Sequence, residues 1–180
     1  MFKTSYVDYI DDADNGVAYN PLSCAISSFA PAWDSEKDID EAFYDAINFA
    51  LKIIENEVSK AKSRVLAAGI IKNKILNTKD KVMILDKYMP WQIPELFNSD
   101  ILYVVFKGAT EIWAIQAVPK SVGGLNLRKP FPEDWRGLAN EDLAMVTEIK
   151  SAIFCNSDGF LAVCKYKEDA IKLAYKAVNM

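Results

Sequence analysis

Residues 131–143, FPEDWRGLANEDL, set Trp135, Arg136 and Gly137 side by side between a proline and an acidic helix start. An indole face can stack a nucleobase and a guanidinium can clamp a phosphate, with Arg128 and Lys129 a few residues upstream to add charge. The same residues can equally hold a fold. In that reading Trp135 plugs a sheet, Arg136 caps a helix C-terminus or pairs with Glu133, and Gly137 supplies a positive-φ turn. A second cluster lies in YVDYIDDADNG, where in a helix Asp8, Asp11 or Asp12, and Asp14 would share a face through three- and four-residue spacings. Carboxylates suit Mg²⁺ or Mn²⁺, and such an ion still needs further ligands or a substrate phosphate to fill its octahedron. Without an ion the group is a solvated, capped helix end. An EF-hand does not fit: with Gly16 at the sixth loop position, Ala13 and Leu22 would hold the third and twelfth.

The chain has no histidine among its 180 residues, which removes the commonest metal ligand and the commonest general base at neutral pH. Zinc catalysis and Ser-His or Cys-His machinery are excluded within this chain. Cys24, Cys155 and Cys164 are scattered and lack a CxxC spacing, so they read as buried thiols rather than a disulfide framework or a zinc site. A formal net charge of -4 argues against a surface that attracts nucleic acid everywhere, so any polyanion site must be local. The apolar fraction of 51% is that of a chain that folds. No apolar run approaches the roughly 20 residues of a membrane span, and the N-terminus has no signal-peptide core, so no membrane partner and a cytoplasmic location are expected.

These groups must be positioned by two kinds of element. From Ser35 to about Leu76 the apolar positions Phe43, Ile47, Ala50, Leu51, Ile54, Val58, Ala61, Val65 and Ala68 recur every three or four residues, the period of one helical face. This is a long amphipathic helix or a helix pair, with Asp34, Ser35 and Asp38 as N-caps and a bend or turn expected at Gly69. Its apolar face needs a cover. Beyond Asn77 the period shortens to that of strands over 81–88, 101–107, 111–119, 152–156 and 159–165, with KGAT at 107–110 closing a hairpin. Two further helices fit from Asn140, read as its own cap, to Glu148, and from Lys167 to Val178. Trp113, between Ile112 and Ile115, reads as packing, and Trp91 poses the same choice between anchor and platform as Trp135. The predicted class is α+β: the long helix packed on a mostly antiparallel sheet, with two further helices.

Taken in order, YVDYIDDADNG, MPWQIPEL, EIWAIQAVP, FPEDWRGLANEDL, AIFCNSDGF and the helix KEDAIKLA resemble the C-terminal half of the MYG exonuclease family. Those proteins are metal-dependent relatives of the DHH phosphoesterases, earlier labelled metal-dependent protein hydrolases. The resemblance implies that residues 1–34 are the end of a phosphoesterase-like half and residues 35–180 a long helix plus the substrate-side lobe. It implies that the metal centre is built mainly in a preceding half rich in His and Asp, with Asp11 at a metal-facing position of an incomplete site. Asn156 stands where the family has a histidine. Gly159 and Phe160 are kept in the turn, while the glycine pair that follows becomes Ala162 and Val163. The substrate-binding candidates are therefore Arg128, Lys129, Arg136, Asn156 and Gly159, with no catalytic residue. The implied function is the substrate-side half of a metal-dependent phosphoesterase or exonuclease that is not catalytic by itself. The alternatives are a degenerate stand-alone binding or protein-interaction module, and a self-contained enzyme using the four aspartates. The isolated chain is expected to hold no cofactor, and Mn²⁺ or Mg²⁺ only when a metal-binding half completes the site. That half, encoded separately, or a second copy of the chain are the expected protein partners, and nucleic acid or another phosphoester the expected substrate.

Overall fold

The computed structural model describes residues 21–180, apart from 109. Asp8, Asp11, Asp12 and Asp14 lie outside the described residues, as does most of the 1–34 segment. The chain divides into two compact units at Lys62/Ser63.

In the first unit, α1 (Pro21–Ser27) precedes α2 (Ile39–Asn77), which continues past the division. Asp38 starts α2, because its carboxylate accepts hydrogen bonds from the backbone N–H of Asp40 (2.7 Å) and of Glu41 (3.3 Å). The helix therefore begins four residues after Ser35, and Asp34 and Ser35 do not cap it. It also runs unbroken through Gly69, against the expected bend or turn: a Cβ at Gly69 would meet nothing within 4 Å, so no crowding forces the chain aside there. Phe29 packs on Phe49 with ring centroids 5.3 Å apart, while Phe43, Ile54 and Val58 remain exposed.

In the second unit five strands form one sheet in the order β1-β2-β3-β5-β4. They are β1 (Val82–Leu85), β2 (Tyr103–Lys107), β3 (Trp113–Ala117), β4 (Ala152–Cys155) and β5 (Leu161–Cys164). β1 and β2 run parallel and every other pair is antiparallel, so the sheet is mixed and mostly antiparallel, as its alternation predicted. The parallel pair requires a crossover, and it contains α3 (Pro94–Phe97), whose Pro94 stands in the first turn, where the missing N–H costs no bond.

Strand alternation gives the sheet two cores. Val82, Tyr103, Val105, Ile115, Ala117, Ala162 and Cys164 face α5 (Lys167–Asn179), which contributes Ala170, Leu173, Ala174 and Ala177. Met83, Leu85, Val104, Phe106 and Ala114 turn to the other side, where Ile71 of α2, Trp91, Ile93 and Leu96 cover them. Small alanines on α5 let the helix lie close to the sheet, and each large apolar side chain buried this way contributes about 1.5–3 kcal/mol. Trp91 is thus an anchor. Cys155 and Cys164 are buried as expected, but Cys24 is exposed, because α1 is a short helix with little packed over it.

α4 (Asn140–Thr147) starts differently from its prediction. Its cap position is Ala139, no side chain caps it, and Asn140 is the first helical residue with φ +50°. Asn tolerates that left-handed geometry better than most residues do. Among the described residues no helix is long and apolar enough to cross a membrane.

Candidate functional site

The β4–β5 hairpin turns through Asn156, Ser157, Asp158 and Gly159. Asn156 makes that turn twice over: its backbone carbonyl accepts from the N–H of Gly159 at 2.9 Å, and its side-chain oxygen accepts from the N–H of Asp158 at 2.8 Å. Gly159 has φ +69°, a conformation costly for other residues. Space forbids a side chain as well. A Cβ there would lie 2.8 Å from Nε of Arg136 and 3.2 Å from the backbone nitrogen of Phe131.

The DWRGL segment closes over this turn. Residues Glu133–Trp135 form a 3₁₀ turn, and the N–H of Phe131 donates to the carbonyl of Gly159 at 2.9 Å. Arg136 then donates from Nε to the carbonyl of Phe131 at 2.8 Å, and its Nη1 lies 3.9 Å from Glu133. Gly137, at φ +77°, donates to the carbonyl of Cys155 at 2.9 Å, and the N–H of Cys155 donates to the carbonyl of Leu138. The segment thereby covers the outer edge of β4. Trp135 is 2% exposed and stacks on Phe131 at 6.3 Å, which in turn meets Tyr103 at 5.0 Å. The indole is a core plug, so the platform reading of Trp135 has no exposed ring to rest on.

The Arg136 charge acts on two buried titratable groups, Cys155 and Tyr103. Burial pushes the Cys155 thiol up to about 11, against the opposing pull of the Arg136 charge. Burial likewise raises Tyr103, with Cys155 adding to the rise and Arg136 opposing it. Both groups are protonated at neutral pH and neither serves as a base. What remains chemically available is a partly exposed guanidinium beside the glycine turn, a group of the kind that pairs with anions.

Three of the five sequence candidates, Arg136, Asn156 and Gly159, are therefore brought together by the turn. The other two are spent elsewhere. Arg128 donates from Nη1 to the carbonyl of Ile101 at 2.9 Å and from Nη2 to that of Leu96 at 3.1 Å, locking the end of α3 to the start of β2. Lys129 donates to the carbonyl of Val178 at 2.8 Å, capping the last turn of α5. Ala162 and Val163 lie within β5, with Ala162 packed in the core facing α5. Among the described residues no three acid or cysteine side chains converge to hold a metal ion.

Sequence reading missed the open groove of about 930 Å³ beyond Trp135, between the end of α4 and α5, where Lys150, Lys172, Lys176 and Tyr175 gather. Lys176 donates to the carbonyl of Thr147 and to Glu148, pinning Glu148 in a left-handed conformation (φ +56°) and holding its carboxyl below the usual range. No local motif announces this groove, because Lys150 follows α4 while Lys172 and Lys176 stand on α5, beyond the β4–β5 hairpin.

The model of the MYG1 exonuclease family, described as an uncharacterised protein family (UPF0160), matches residues 1–178. The chain belongs to this family. The MYG1 protein of Schizosaccharomyces pombe is 28% identical over 97% of the chain and 61% of its own length. The MYG1 protein of Chlamydia muridarum is 26% identical over 97% of the chain and 64% of its own length. The MYG1 exonuclease of Rattus norvegicus is 24% identical over 94% of the chain and 51% of its own length. The chain thus spans between about half and two-thirds of the MYG1 relatives it matches. No solved structure matches it significantly.

Proposed function

We propose that residues 1–180 are the substrate-side half of a MYG1-type metal-dependent phosphoesterase, acting on nucleic acid together with a metal-binding half and not catalytic alone. The observation that carries the reading is a family match over residues 1–178 in a chain without a single histidine. Proton transfer and metal ligation then fall to the completing half, with Asp11 as this chain's contribution to the metal. The Arg136–Asn156–Gly159 cluster supports a substrate role. Its guanidinium supplies a fixed charge for a phosphate, while the turn's glycine lets backbone and guanidinium come close.

The second reading, a binding module without catalysis, is favoured by one observation: Ala162 and Val163 occupy β5 where the family resemblance calls for glycines. Complex formation separates the two. The chain is mixed with the isolated metal-binding portion of the Schizosaccharomyces pombe relative and followed by light scattering and calorimetry. The proposal expects a one-to-one complex; the absence of any association favours the module.

A further inference from the structure

The opposite end of β5 from the Asn156–Gly159 turn carries a second surface. Register sets Leu85, Phe106, Ala114 and Val163 in one row across the sheet, and Lys107, Trp113 and Cys164 in the next. Beside Lys107 in that row, the chain supplies Lys87 and Tyr88 after β1 and Lys165, Tyr166 and Lys167 after β5. With strands about 4.8 Å apart, these groups spread over roughly 14 Å of sheet end.

Four ammonium groups and three aromatic rings meet there. Lys107 pairs with Glu111 at 3.0 Å and Lys167 with Asp86 at 2.9 Å, and both acids are almost fully solvated, so neither pair is held tightly. Lys87 and Lys165 have no carboxylate partner among the described residues. Lys165 stands 5.5 Å from the centre of the Tyr166 ring, and Lys167 stands 5.1 Å from that of Trp113. Tyr88 is fixed edge-on to Phe106 at 5.3 Å yet stays 60% exposed, and Tyr166 is 54% exposed. Lys87, Tyr88, Phe106, Lys107 and Gly108 line a depression of about 430 Å³ beside that ring, large enough to admit a nucleobase.

We infer that this end of the sheet binds a single-stranded nucleic acid, its phosphates on Lys87, Lys107, Lys165 and Lys167 and a base stacked on Tyr88. The inference rests on the nucleic-acid part of the proposed function and adds a surface distinct from the Arg136 cluster. A solvated lysine face needs no exposed tyrosine anchored from behind. Stacking needs the open face of an unpaired base, which a duplex and an acidic peptide both lack.

The test is fluorescence anisotropy of the full chain with a short labelled oligothymidylate, in DNA and RNA forms. Four phosphate contacts predict an affinity loss of about 50-fold between 50 and 200 mM salt. Lys87→Ala with Lys165→Ala leaves two contacts and a loss of about 7-fold. Tyr88→Ala weakens binding about fivefold or more at fixed salt. Both sets of positions are exposed, so unchanged melting curves accompany these effects. Binding that keeps its affinity and salt slope in the double lysine variant overturns the inference. A lowered slope with no effect of Tyr88→Ala, and equal competition by polyglutamate, overturns it in favour of a general polyanion surface. A chain that binds through this end but gains no nuclease activity with a metal-binding half keeps the surface and removes the catalytic reading. Activity gained without dependence on Tyr88 or the lysines does the reverse.

Discussion

Trp135→Ala should destabilise the second unit severely while leaving oligonucleotide affinity nearly unchanged. The indole is 2% exposed, stacks on Phe131 and shares a core with Leu143, Ile149 and the α5 face. Removing a buried tryptophan costs about 3–5 kcal/mol through lost burial and the cavity left behind. The whole fold of such a domain is worth about 5–15 kcal/mol. For a unit of this size each kcal/mol moves the melting temperature by about 3–4 °C, so a fall of about 10–20 °C is expected. Trp135→Phe refills much of the space and should lose less than half as much. Differential scanning calorimetry on parent and variants measures the first effect, and anisotropy with a labelled oligonucleotide measures the second. A melting temperature unchanged in Trp135→Ala, with binding weakened tenfold, would refute the assignment of Trp135 as a core plug and make it a base platform.

Gly159→Ala forces a left-handed backbone on a residue with a Cβ and drives that Cβ to 2.8 Å from Arg136 Nε, so chemical denaturation should show a loss of about 2 kcal/mol or more. Adding Arg136→Ala in that background removes the closest contact but neither the 3.2 Å approach to the Phe131 nitrogen nor the φ strain, and so restores only part of the loss. Asp38→Ala deletes the cap of α2 and should cost about 1 kcal/mol, with reduced helical ellipticity at the start of the thermal transition. Alkaline pH should weaken the fold. Burial pushes Cys155 up to about 11 and Cys164 up to about 12, while an unfolded thiol titrates near 8.5. Between those values the native state binds the protons and the unfolded chain does not, so stability falls as pH rises through the window, by about 1.4 kcal/mol per pH unit for each thiol. Urea unfolding at pH 8 and pH 10 measures the fall, and replacing both cysteines by alanine should flatten it.

The change of apolar period near residue 80 located the strands because a sheet covered on both faces must place alternate residues in two cores, as Tyr103 and Val104 do. Of the strand order only the β2–β3 hairpin, expected from KGAT at 107–110, was legible. That β1 joins β2 in parallel and β4 lies outside β5 depends on crossovers through α3 and α4, which leave no local mark. Gly69 misled because a glycine's cost in a helix, about 1 kcal/mol, is small beside the neighbouring burial of Ile71 and Ala67. At the site, DWRGL left a binding and a structural reading open, and the burial of Trp135 decides for the second, with Arg136 packed against Gly159 of the Asn156 turn. Arg128 and Lys129 looked identical to binding residues in sequence, because only the fold reveals that backbone carbonyls at Leu96, Ile101 and Val178 already occupy them. The lysines and tyrosines at the far end of the sheet were unreadable for the converse reason: they are eighty residues apart and meet only through register.

The most direct test of the central claim is Mn²⁺-dependent degradation of a labelled oligonucleotide, measured for the chain alone, for the isolated metal-binding portion of a MYG1 relative, and for their mixture. The account predicts no turnover by the chain alone and turnover in the mixture that is lost with Asp11→Asn and reduced with Arg136→Ala. Turnover by the chain alone that disappears with Asp11→Asn would contradict it.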